Sequence, residues 1–205
     1  MGKARVSIPR NIRDRILAEF NHKCARCTAD RPQLHHIDEN PSNNEPLNLI
    51  PLCPNCHLSD QHNPTQPLEQ KKLRLLRQYK DPTVLSPQFH VLFQRLRFLD
   101  SALMAETSEG LAEQAADLIN FVELLEMGAY YAKQIKALVG KPFPLEIYSL
   151  DLDDGRIRPT PGYDRRERER DQRYLEQLRS AYDPVHGLVI ELLRFQNWTE
   201  TKRAT

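Results

Sequence analysis

No run of about 18 apolar residues occurs in this chain, which argues against a membrane-spanning helix. The opening Met1-Gly2-Lys3-Ala4-Arg5 has no apolar stretch of the secretory kind, so the expectation is a cytoplasmic protein. There is no internal repeat, and no cysteine follows Cys56. Net charge is almost lacking as well: at +1 it neither favours nor excludes a polyanionic partner. What is present, 40% hydrophobic and 28% charged residues, fits a globular chain rather than a disordered or fibrous one. The 205 residues allow one mid-sized domain or a small module joined to a second region.

The charge is unevenly spread. Residues 1–80 hold 13 lysines and arginines against 8 acids, whereas residues 81–205 hold 16 against 20. A positive front facing phosphates and an acidic back facing something else would fit that split, and ordinary scatter fits it equally well.

Apolar residues at Ile8, Ile12, Ile16, Leu17 and Phe20 have helical spacing and predict an amphipathic lead-in helix. A tight turn from Cys24 to Cys27 follows, then a short strand over 31–37 and a loop from Asp38 to Pro46 dense in Asn, Pro and Ser. A second strand is expected over 47–52, with a helix starting around Cys53 to Cys56. The order is β, loop, β, α.

Asn63-Pro64-Thr65-Gln66-Pro67 breaks any helix, because proline lacks a backbone donor and restricts its predecessor, and it is the expected domain boundary. Beyond it the pattern is helical over 68–79 and 89–104. The longest candidate, 109–139, carries Leu111, Ala115, Leu118, Val122, Leu125, Ala129, Ala132 and Ile135 at intervals of three and four. Residues 141–162, rich in proline and aspartate, read as an irregular connector. Alternating charges over 164–182 predict a solvated helix, and a last amphipathic helix is expected over 185–198. The fold class expected is α+β: a small module over 1–64, then a mainly helical region over 65–205.

Four cysteines in the pattern Cys24-x₂-Cys27-x₂₅-Cys53-x₂-Cys56 point to metal in a cytosolic chain. Each Cys-x-x-Cys turn presents two sulfurs, and two turns complete a tetrahedral Zn²⁺ site. With four thiolates such a site is closed, so its zinc is expected to be structural and to stabilise a module too small for much core. Redox-active pairs or four free thiols are the other readings.

Between and beside these pairs lie Leu34-His35-His36-Ile37-Asp38 and Asn48-Leu49-Ile50-Pro51-Leu52-Cys53-Pro54-Asn55-Cys56-His57. These strings resemble the HNH (ββα-metal) endonucleases, in particular the branch braced by four cysteines, over about residues 8–62. The resemblance implies that His36 is the general base taking a proton from the attacking water, a task suited to a neutral imidazole. It implies that His35 and His57 ligate a catalytic divalent ion, Mg²⁺ or another, and that Asn48 bridges the loop and the second strand and so orients the base. The products would carry 5′-phosphate and 3′-hydroxyl ends. Adjacent side chains on a strand point to opposite faces, so the His35-His36 pair belongs at a strand end or turn. His62 and Asp38 are secondary candidates for a third ligand, while His90 and His186 read as ordinary surface or core residues.

The expected function is therefore metal-dependent hydrolysis of DNA phosphodiester bonds, as a bacterial restriction or anti-phage effector subunit; the latter step is analogy. The alternative is a catalytically inactive zinc-bound adaptor for nucleic acid or protein. The helical region has no catalytic, metal or nucleotide signature and is expected to serve self-association or a partner protein, with no membrane contact.

Overall fold

The computed structural model describes residues 7–57, 70–141, 148–150, 156–160 and 162–203. Its chain divides into two compact units, Met1–His90 and Val91–Thr205. The expected boundary at 63–67 lies outside the described residues. Helix 70–79 belongs to the first unit.

In the first unit, helix α1 (Arg10–Glu19) starts after Pro9, whose carbonyl accepts from the amides of Ile12 and Arg13, and it buries Ile16. It stops where Asn21 and His22 turn left-handed, with φ of 51° and 55°; asparagine and histidine tolerate that conformation better than most residues. Strand β1 (Gln33–His36) pairs antiparallel with β2 (Leu49–Leu52), placing His35 opposite Ile50 and His36 opposite Leu49. Both strands are shorter than expected. Arg31, with φ 57°, holds the chain out of the extended region before β1, and Pro46–Asn48 wind into a 3₁₀ turn ahead of β2. All four residues of β2 are buried, which explains why its sequence shows no polar alternation. A helical turn begins at Pro54, with the His57 amide donating to the Cys53 carbonyl.

Helix α2 (Gln70–Tyr79) is fastened by Arg77, a nearly fully buried guanidinium. Its Nη1 donates to Glu19 Oε2 of α1 at 2.9 Å, its Nε donates to the Pro46 carbonyl at 3.2 Å, and its carbon lies 5.5 Å from the Phe20 ring centre. One side chain thus ties α2 to α1 and to the loop ahead of β2. Burial works against ionising Glu19, but Arg77 and Lys80 outweigh it and hold the carboxyl below its ordinary value.

The division of the chain into the two units falls within helix α3 (Pro87–Met104). The second unit continues with α4 (Leu111–Glu123), α5 (Gly128–Val139), a hairpin of β3 (Tyr148–Leu150) with β4 (Ile157–Pro159), and α6 (Tyr163–Arg203). Helix α5 packs against both α4 and α6.

Three expectations for this half are corrected. The single helix over 109–139 is two helices, broken at Met127, whose φ of 59° is left-handed. Gly128 follows so close to the end of α4 that a Cβ there would lie 2.0 Å from the Val122 carbonyl oxygen. Ala129, assigned to the apolar stripe, is exposed. The connector over 141–162 contains the hairpin, with Leu150 opposite Ile157. Pro142, Pro144, Pro159 and Pro161 made the stretch read as irregular, since proline supplies no backbone donor to a strand pair. The helices over 164–182 and 185–198 are one helix that runs through Pro184. Buried Tyr174, Leu178, Ala181, Val185, Val189 and Leu192 form one stripe across that proline, and their burial outweighs the lost backbone hydrogen bond.

Helix α6 also supplies donors to carbonyls that helix ends leave without partners. Tyr174 Oη donates to the Val139 carbonyl and Gln177 Nε2 to that of Leu138, both at 2.8 Å, at the end of α5. Arg179 donates to the Ala102 and Ala105 carbonyls at the end of α3.

Candidate functional site

The first cysteine pair sits on a turn shaped by backbone bonds: the Cys24 amide donates to the Ala29 carbonyl and the Thr28 amide to the Cys24 carbonyl, both at 2.9 Å. The Ala25 amide donates to the Pro51 carbonyl at 2.8 Å, which docks this turn on β2. The second pair leaves the end of β2 and enters the helical turn, where the Cys56 amide faces Cys53 Sγ at 3.5 Å. The four sulfurs therefore converge, all within 4.8 Å of one another. Cys27 Sγ lies 3.6 Å from Cys53 Sγ and 3.5 Å from Cys56 Sγ.

Four sulfurs at about 2.3 Å from one Zn²⁺ in a tetrahedron are about 3.8 Å apart, so the cluster has the dimensions of a zinc-thiolate site. None of the four is in a disulfide, and Cys24, Cys53 and Cys56 are buried. The Cys56 amide, together with the neighbouring thiols, lowers the Cys53 thiol to about 7, while burial pushes Cys56 up. A cation would be needed to hold several thiolates together there.

The structure also brings His35 and His57 together. His35 Nδ1 and His57 Nε2 are 3.0 Å apart and the rings meet edge to face, with centroids 4.8 Å apart. Two imidazole nitrogens at about 2.1 Å from one ion and at a right angle to each other are also about 3.0 Å apart, so the pair fits a shared divalent ion. His35 is buried within β1, and His57 is positioned by the turn that carries Cys56. Both line a cleft of about 380 Å³ with His36, Glu39, Gln33, Leu34 and Pro41. His36 is the last residue of β1, at the strand end where the adjacent pair was expected.

Asn48 is buried beneath this cleft's loop. Its Oδ1 accepts from the Asp38 amide at 3.0 Å, and its Nδ2 donates to Asp38 Oδ1 and to the Asn43 carbonyl, each at 2.9 Å. The Ile37 amide donates to the Asn48 carbonyl at 2.8 Å, so one residue closes the loop onto the base of β2. Asp38 is the hub of the same network: its carboxylate also accepts from the Asn40 amide and from Asn43 Nδ2. Partial burial raises the Asp38 pKa, but those donors outweigh it and hold the carboxyl below its ordinary value. With its oxygens engaged by the loop, Asp38 acts there as a scaffold. His62 lies outside the described residues; His90 is exposed and His186 is buried in α6.

Sequence reasoning missed one member of the cleft, Glu39, and one residue bonded to its wall, Asn44. Glu39 reaches it because a left-handed φ of 57° turns the chain just after β1. Asn44 has its Oδ1 3.0 Å from His36 Nε2. The run of asparagines was the available signal, since such side chains hydrogen-bond locally and shape turns.

Comparison with protein families, with curated proteins and with solved structures found no match to this chain. The four-cysteine cluster and the mixed fold, mostly helical with small antiparallel pairs of strands, stand on the geometry itself. Among the described residues, no helix is long and apolar enough to cross a membrane.

Proposed function

We propose that the first unit is an HNH nuclease module that hydrolyses phosphodiester bonds of DNA. The observation that carries this reading is the facing pair His35 Nδ1 and His57 Nε2, 3.0 Å apart on the wall of a cleft that His36 also lines. In this reading Cys24, Cys27, Cys53 and Cys56 hold a structural zinc ion, and His35 and His57 hold Mg²⁺ or another divalent ion. That ion, when bound, supplies charge stabilisation for the phosphorane and for the departing 3′ oxygen.

The chain's own residues then divide the remaining work. The lone pair of a water oxygen forms the new bond to phosphorus while His36 takes the proton that this oxygen loses. The bond from phosphorus to the 3′ oxygen breaks with its electron pair on that oxygen, which takes a proton from solvent. Asn48 and Asp38 hold the loop that follows His36, so the base does not have to be ordered at the moment of reaction. The excess of lysine and arginine over residues 1–80 is compatible with a polyanionic substrate. For the second unit we propose self-association or binding of a partner protein, as in a restriction or anti-phage effector subunit.

The decisive measurement is plasmid cleavage by the full chain with Mg²⁺, Mn²⁺ or Ni²⁺, beside a His36→Ala control. The expected loss in His36→Ala is about 10²-fold or more, the usual contribution of a general base. Equal nicking by both proteins removes His36 from the mechanism. DNA binding without cutting under every metal, unchanged by His36→Ala, would instead establish the adaptor.

A further inference from the structure

We infer that Asn44 is a positioning residue that fixes which ring nitrogen of His36 carries the proton, with the Ser7 carbonyl as its anchor. The inference rests on the reading of His36 as a general base. Asn44 Nδ2 donates to the Ser7 carbonyl oxygen at 3.3 Å, and Asn44 Oδ1 lies 3.0 Å from His36 Nε2. A backbone carbonyl can only accept, so it selects the amide orientation that turns Nδ2 toward Ser7 and Oδ1 toward His36. The opposite orientation would set two acceptor oxygens against each other.

A carboxamide oxygen can also only accept, so His36 Nε2 must carry a hydrogen. A neutral imidazole has one N–H. The lone pair therefore resides on Nδ1, which is the atom left to take a proton. The other tautomer would place the Nε2 lone pair against that of Oδ1 and lose the hydrogen bond. Asn44 is itself held on both sides. Its predecessor Asn43 donates through Nδ2 to Asp38 Oδ2 at 2.7 Å and through its backbone amide to the Asn40 carbonyl, and the amide of Glu45 donates back to Asn43 Oδ1. The asparagine-rich loop thus delivers one amide oxygen at a fixed place, and a second segment of chain, at Ser7, sets which end of that amide faces the ring.

Asparagine at 44 has a chemical requirement that a merely structural residue would not have. Any side chain with an acceptor in the place of Oδ1 should preserve the tautomer, and an apolar side chain of the same size should not. Asn44→Asp keeps an acceptor facing Nε2–H, whereas Asn44→Leu keeps the volume and removes it.

The test uses the full chain, ¹⁵N-labelled at histidine, with the His36 signals identified by their loss in His36→Ala. In the parent protein we expect His36 ¹⁵N shifts of a protonated Nε2 and an unprotonated Nδ1; an Nδ1–H tautomer would overturn the proposal whatever the cleavage assay gives. In Asn44→Leu we expect the shifts to move toward a mixture of tautomers, and kcat for plasmid nicking to fall about 10–100-fold without a comparable change in KM, whereas Asn44→Asp, which keeps the acceptor but gives up the Ser7 anchor, should keep the hydrogen on Nε2. Parent-like shifts and kcat in Asn44→Leu would also overturn it. The parent spectrum needs no Asn44 variant to fold. If the parent carries Nε2–H but His36→Ala nicks DNA as fast as the parent, the nuclease reading fails while the tautomer assignment stands.

Discussion

The two units are held together by different physics. The first contains a two-stranded hairpin and six of the seven non-glycine residues with left-handed backbone among the described residues: Asn21, His22, Thr28, Arg31, Glu39 and Lys80. Such backbone costs free energy at each position and persists only where the surroundings fix it. Here the fixing groups are four sulfurs, the Asp38–Asn43–Asn48 network and the Arg77 clamp. The second unit depends instead on apolar stripes, Leu111 to Val122 on α4, Tyr131 to Val139 on α5 and Tyr174 to Leu193 on α6, with side-chain donors finishing the helix ends. Polar and metal-ligating groups can shape an open cleft whose walls are imidazoles. A tightly packed apolar core cannot, because it leaves no unfilled space between its side chains.

Metal removal is the strongest way to separate the two. Chelation of the zinc-loaded chain, or Cys53→Ser, should unfold the first unit, because metal binding contributes to folding directly, by about 10 kcal/mol or more in small zinc modules. Calorimetry should then lose one transition and keep that of the helical unit. A first-unit transition indifferent to chelator would sink the idea that the sulfurs brace it. The converse change is Leu178→Ala, at a position with 0% exposure in the middle of the α6 stripe. It should cost the second unit about 2–5 kcal/mol, through lost transfer free energy and the cavity left behind. Bound zinc, measured by elemental analysis, should not change; a parallel loss of zinc would mean that the two units do not fail separately.

The same division explains what could be read from the sequence. The order helix, turn, strand, loop, strand, helical turn was legible because it is punctuated by residues with fixed backbone demands, and the cysteine spacing set which turns had to meet. The convergence of His35 and His57 could be anticipated only through the resemblance. Nothing in the spacing of two residues 22 apart states that their rings touch. Asn44 and Glu39 stayed hidden because their roles depend on loop backbone angles that no periodicity encodes. In the second unit the apolar period was correct but ambiguous. A stripe at intervals of three and four is the same for one long helix and for two helices packed on each other, and only the left-handed Met127 with the close approach at Gly128 decides between them. Pro184 misled in the other direction, since a local penalty was outweighed by burial on both sides of it.

The smallest effect expected is also one that the sequence could not place. His186 is buried at 2% exposure on α6, its ring 4.4 Å from that of Tyr182, with Nδ1 2.8 Å from the Tyr182 carbonyl, while Tyr182 Oη donates to Asp100 Oδ1 at 3.2 Å. Burial pushes its pKa below the ordinary 6.5; the hydrogen bond to the Tyr182 carbonyl and the charges of Asp100 and Asp183 oppose this without reversing it. As pH falls, the unfolded chain therefore takes up the proton first. The contribution of neutral His186 to stability is fully present above about 6.5 and is lost as pH falls through the lower folded value, at about 1.4 kcal/mol for each unit between the two. Melting of the second unit should accordingly weaken between pH 7 and pH 5 in the parent protein, and less in His186→Phe, which keeps a ring beside Tyr182 but cannot take a proton. Identical pH profiles for the two proteins would show that other groups, rather than this imidazole, govern the acid response of the helical unit.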